Sequence, residues 1–197
     1  MNDEKKVVFS AFADAYSPEF DVHYDSQPQE LSVLDDLPNN LMDLGLFYKH
    51  LRFSKNLIMD GVFVNIAIYD DLPKRAKGWA RTYDFKNNTW TINSKWKPDW
   101  VVFATLIDAS CIFADVASEG CPVFGVIAGS LEPVKISESF LEFLRIMTAM
   151  VEVERMLGFK VMNRKEEPTK KFLANLDEEV SKICSPEIKK NFFSCLL

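Results

Sequence analysis

Apolar residues return at helical spacing near both ends of the chain and at strand spacing in its middle. Val8, Phe9, Phe12 and Tyr16 predict a helix over 7–16. Ser17-Pro18 stops it, because a residue before proline is pushed out of the α region. The acidic, aromatic stretch 17–36 reads as loop. Leu37-Pro38-Asn39-Asn40 opens a second helix, about 39–52, with Leu41, Leu44, Phe47, Tyr48 and Leu51 on one face. Residues 56–69 fit a buried helix or a buried strand, and we read a helix continuing to about Met59 followed by an extended run.

The middle of the chain alternates. Arg81 to Phe85 and Thr89 to Asn93 flank Asn87-Asn88, a pair that tolerates the positive φ of a tight turn, so a β-hairpin is predicted. Three short apolar runs follow, Val101 to Thr105, Cys111 to Val116 and Pro122 to Ile127, and polar or small residues between them favour an antiparallel meander. Val134 to Ile136 adds a last strand. Ser139 and Glu142 then have the spacing of a capping box and open a long amphipathic helix that Gly158 ends. Asn163 to Pro168 reads as a charged linker before two more helices, 170–183 and 186–197. In the first of these, Phe172, Leu173, Leu176, Val180 and Ile183 form a stripe that must pack on the domain or on a second copy. The order predicts an α+β fold: an antiparallel twisted sheet of about five to six strands flanked by helices. We divide it into a domain over 1–158, with an N-terminal extension, and a helical C-terminal tail over 159–197.

Composition narrows the function classes. With 48% apolar residues the chain can bury a core, and no apolar run approaches the roughly 20 residues of a membrane span. No secretory leader is recognisable at the N-terminus, so a cytoplasmic protein is expected. The net charge of −6 argues against a nucleic-acid binder, which needs a cationic face. Residues 159–197 hold eight basic and six acidic side chains, a net of +2, leaving 15 and 23 in residues 1–158, a net of −8. An acidic body favours a basic partner. Two histidines and four cysteines without a CxxC pair offer no metal site, and no cofactor is expected. The cysteines read as reduced thiols. Neither Gly-x-Ser-x-Gly nor a phosphate loop is present, so no catalytic residue is assigned and the chain is read as a non-enzyme.

One segment carries a family resemblance. In order stand Trp96-Lys-Pro-Asp-Trp100, a strand, Asp108 in a loop, Ile112-Phe-Ala-Asp115, Cys121-Pro-Val-Phe124 and Ile136-Ser-Glu-Ser-Phe-Leu-Glu-Phe-Leu144. This run resembles the core of the SUKH superfamily, bacterial immunity proteins that also include Syd-like and yeast Smi-Knr-like members. It departs where loop 106–110 lacks glycine and where Ala128-Gly129-Ser130 replaces a His-Gly turn, and the tail has no counterpart. The resemblance implies a SUKH-like fold. It further implies an immunity protein that neutralises a cognate toxin, often a basic nuclease-type domain, or alternatively a regulatory binding scaffold.

For contact with such a partner the candidates are Asp70, Asp71, Asp108 and Glu119, with Trp79 and Trp100 where exposed. Asp108 and Asp115 also read as turn caps, and the four tryptophans Trp79, Trp90, Trp96 and Trp100 as core packing or a protein-binding hot spot.

Overall fold

The computed structural model describes residues 1–34, 37–58, 64–106, 108, 110–126, 132–163 and 167–197. It opens with α1 (Asp3–Tyr16), longer than the apolar pattern because a polar first turn precedes it. Asn2 caps that turn, accepting from the Lys5 N–H at 3.0 Å, and Asp3 and Glu4 suit the positive end of the helix dipole. Next come β1 (His23–Tyr24), α2 (Met42–His50), β2 (Leu51–Arg52), β3 (Leu57–Ile58), β4 (Asn65–Ile66), a 3₁₀ turn at Tyr69–Asp71 and α3 (Leu72–Arg75). The hairpin strands are β5 (Arg81–Asp84) and β6 (Thr89–Ile92). Then follow β7 (Trp100–Thr105), β8 (Cys111–Asp115), β9 (Val123–Val126), β10 (Val134–Ser137), α4 (Phe140–Met156), α5 (Lys170–Ser181) and α6 (Pro186–Leu196).

The fold is α+β. Among the described residues the main sheet has six antiparallel strands in the order β10-β9-β8-β7-β4-β3. The meander of three apolar runs forms its centre, and the hairpin pairs Tyr83 with Trp90 across a turn in which Asn88 has φ +51°. Ser139 caps α4, accepting from the Glu142 N–H at 3.1 Å, while the Glu142 carboxylate accepts from the Glu138 N–H at 2.9 Å.

Three expectations change. The second helix ends at His50, and Leu51–Arg52 pairs with His23–Tyr24, inside the stretch read as loop. Among the described residues no helix continues beyond it: Leu57–Ile58 is a strand edge paired with Asn65–Ile66, and the Asn56 side chain accepts from the Ile68 N–H at 2.9 Å to hold the return. Tertiary pairing overrode the helical reading there. Met59 to Phe63, Ile127 and the Ala128-Gly129-Ser130 turn lie outside the described residues.

The sheet has two unlike faces. Phe103, Ile112, Ala114, Val123 and Ile136 join one core with residues of α1, α2, α4, α5 and α6. Phe103 meets Phe140 at 5.4 Å and Phe143 at 5.3 Å, and Phe140 meets Phe47 of α2 at 5.4 Å. The tail belongs to this core, since Phe172, Leu176, Val180, Phe192 and Leu196 are buried in it. Gly125 makes room for α6: a Cβ there would stand 2.2 Å from the Cys195 Sγ. All four cysteines are free thiols. On the other face Val102, Cys111, Phe113 and Val126 form a smaller cluster under Trp79, Trp96, Trp100 and Phe124.

Candidate protein-binding surface

The smaller cluster is roofed by residues 72–98, a segment that leaves the sheet after β4, forms α3 and the β5–β6 hairpin, and returns at Trp96. Trp96 lies 5.4 Å from Trp100, 4.9 Å from Phe113 and 6.3 Å from Trp79. Its indole N–H donates to the Trp100 carbonyl at 2.9 Å, and that of Trp100 donates to Asp115 at 3.3 Å. Trp96 and Trp100 are half-buried, each with its polar edge satisfied. Asn93 ties the hairpin base down, donating from its backbone N–H to Ala80 and from its side chain to Trp79, both at 2.9 Å.

Alternation along β5 and β6 sorts the hairpin into two faces. Arg81, Tyr83, Phe85, Trp90 and Ile92 share one, and Thr82, Asp84, Thr89 and Thr91 the other. On the first, Tyr83 meets Trp90 at 5.3 Å and Phe85 at 5.0 Å. Phe85 is 88% exposed, Ile92 78% and Trp90 40%, so this apolar face is turned to solvent. Beside it a groove of about 330 Å³ runs between α3 and the sheet, lined by Leu37, Pro38, Leu72, Ala76, Trp96 and Trp100. A cleft of about 460 Å³ opens at the start of α2, where the ion pair of Lys5 with Asp43 occupies its wall.

The residues singled out by sequence are divided by this geometry. Trp79 and Trp100 stand on either side of Trp96, in the aromatic roof. Asp70 and Asp71 lead into α3 beside the groove; Asp70 is exposed, and Asp71 pairs with Lys74 at 2.5 Å. Glu119 is exposed in the turn after β8, at the Trp100 end of the sheet. Asp108 sits at the opposite end of the β7–β8 pair, about 17 Å away for five residues of strand. There its carboxylate accepts from the Ser110 N–H at 2.9 Å and the Ser110 hydroxyl at 2.8 Å. Asp115 accepts from the Ala117 N–H at 3.2 Å, the turn-capping role read for both. Asp108 is therefore not part of a single surface with the tryptophans.

Sequence reasoning missed Phe85 and Ile92 and left Trp90 out of the contact candidates, although alternation already placed the three on one hairpin face. It also missed the local charge. Residues 72–98 carry seven Lys or Arg against one carboxylate, Asp84, a net of +6 that disappears in the sum over 1–158. Lys97 lies over the Trp100 ring at 4.9 Å and Lys77 over Trp90 at 5.8 Å. Asp84 turns back on its own hairpin, where the Asn87 amide donates at 2.7 Å and the Lys86 N–H at 2.9 Å. Those hydrogen bonds hold its carboxyl below the usual carboxylate range.

Among the described residues no three His, Cys, Asp or Glu side chains gather as a metal site, and no helix is long and apolar enough to cross a membrane. No protein-family model, curated protein or solved structure matches this chain.

Proposed function

We propose that the chain is an immunity protein of the SUKH type, which binds a cognate toxin domain and blocks it by occupancy rather than by catalysis. The observation that carries this reading is the exposed apolar face of the hairpin, Phe85, Trp90 and Ile92, continuous with an apolar groove. Solvated apolar surface of this kind, ringed by polar residues, is what a protein partner covers. The resemblance between Trp96 and Leu144 supplies the family context. The scaffold alternative, with the tail as its extra contact, is less favoured because Phe172, Leu176 and Val180 of the tail face inward.

The test is co-expression with the toxin domain encoded beside this chain. A stable complex that co-purifies and has lost its toxicity is expected. A toxin domain that neither binds nor loses activity refutes the reading.

A further inference from the structure

This inference rests on that reading and concerns the chemistry of the partner's docking face. The acidic surplus of the molecule lies outside the segment that carries the exposed aromatic surface. Residues 1–71 and 99–158 together hold eight basic and 22 acidic side chains, a net of −14, against +6 in residues 72–98. Within that arm Lys77, Lys86, Lys95 and Lys97 are exposed and in no ion pair among the described residues. The arm's single carboxylate is occupied by the turn amides.

We propose that the hairpin face and its lysine fringe dock on an acidic face of the partner protein. The layout is that of an interface, with an apolar centre of Phe85, Trp90 and Ile92 and a charged rim. Rim charges of one sign meeting the opposite sign steer the encounter and fix orientation. The fit to a protein is better than to a nucleic-acid strand. Bases stack on open ring faces, whereas Lys77 stands over the Trp90 ring, and aliphatic Ile92 fills part of the surface. The rest of the chain, at a net of −12, also repels a long polyanion. A grip on an acidic face means that the partner is blocked by being covered, and not by mimicry of a phosphate in a cationic active site.

The experiment measures association of the full chain with the adjacent toxin domain at low and high salt. Three variants enter it beside the unaltered chain: Lys77→Glu, Lys86→Glu, Lys95→Glu and Lys97→Glu combined; Asp70→Lys with Glu119→Lys; and Phe85→Ser with Ile92→Ser. Matching melting temperatures verify that each is folded. The lysine variant is expected to associate at least about tenfold more slowly and to lose most of the salt dependence. The Phe85/Ile92 variant is expected to dissociate faster by about tenfold or more. Unchanged association of the lysine variant, or slowing confined to the Asp70/Glu119 variant, overturns the proposal. Binding of a fluorescein-labelled 20-nucleotide oligo(dT) that depends on the four lysines overturns it in favour of a single-strand site. A toxin domain that fails to bind even the unaltered chain overturns the functional reading itself, and this inference with it.

Discussion

The two faces of the six-stranded sheet are closed by different means. On one, five helices bring residues such as Phe9, Phe12, Phe47, Phe140 and Phe192 to complete burial. On the other, one arm lays half-buried tryptophans over Phe113 and then turns its own apolar hairpin face outward. The comparison separates two uses of aromatic residues. Phenylalanine, with no polar edge to satisfy, packs the sealed face. Tryptophan, whose N–H needs an acceptor, sits at the boundary where Asp115 and a strand carbonyl provide one. Stability accordingly belongs to the helical side, and the arm carries the surface proposed for recognition.

That division can be broken most severely by deleting residues 159–197. The buried tail side chains Phe172, Leu176, Val180, Phe192 and Leu196 alone, at about 1.5–3 kcal/mol each, represent a contribution comparable with the about 5–15 kcal/mol stability of a whole domain. The truncated chain is expected to lose its cooperative thermal transition by circular dichroism, and a sharp, unshifted melt would show the tail to be merely appended. Next in size, Phe140→Ala should cost about 3–5 kcal/mol in urea unfolding, since its ring is shared among Phe47, Phe103 and Phe143. A loss below 1 kcal/mol, roughly a loosely packed site, would contradict that geometry.

Gly125→Ala is a finer probe, because only the Cys195 Sγ stands in the way of the added methyl. It should cost about 1–3 kcal/mol, and adding Cys195→Ala should recover most of that, the remaining Cβ contact being 3.4 Å. Failure of the second substitution to rescue the first would mean that α6 does not dock there. A smaller effect comes with alkaline pH. Burial, with Asp108 nearby, pushes the Cys195 thiol up to about 11 from 9.0. The unfolded chain therefore gives up this proton first, and stability falls as pH rises between those values. Cys195→Ala should flatten that slope in melts recorded from pH 8 to 11; an unchanged slope would assign it to other groups. Smallest of all, Phe85→Ser and Ile92→Ser should move the melting free energy by no more than about 0.5 kcal/mol. A large loss would place these side chains in the core rather than on a contact face.

Much of this architecture was legible in residue order. The spacing of Phe140, Phe143, Leu144 and Met147 behind a capping serine specified α4, and the alternation of Tyr83 and Phe85 against Trp90 and Ile92 specified the hairpin. Residues 51–58 were not legible, since two-residue strands have no period and exist only through partners distant in sequence. The candidate surface was half legible. Trp79 and Trp100 were recognised by type, but a charge summed over a whole domain hid the arm, because electrostatic sign is a property of a patch.

The pairing of α1 with α4 has a consequence for how the molecule is made. Arg145 reaches Glu4 at 2.7 Å and Arg155 reaches Glu19 at 3.2 Å, joining segments separated by roughly 120 residues of chain. At about 5–20 residues per second of synthesis, α1 waits on the order of ten seconds before its partner helix exists. Until α4 emerges, the apolar stripe of Val8, Phe9, Phe12 and Tyr16 is covered only in part, by Phe47 of α2, which meets Phe9 at 6.1 Å and Phe12 at 5.5 Å. The nascent chain thus carries incompletely covered apolar surface along α1, open to aggregation and to chaperone capture, even after the arm has been translated.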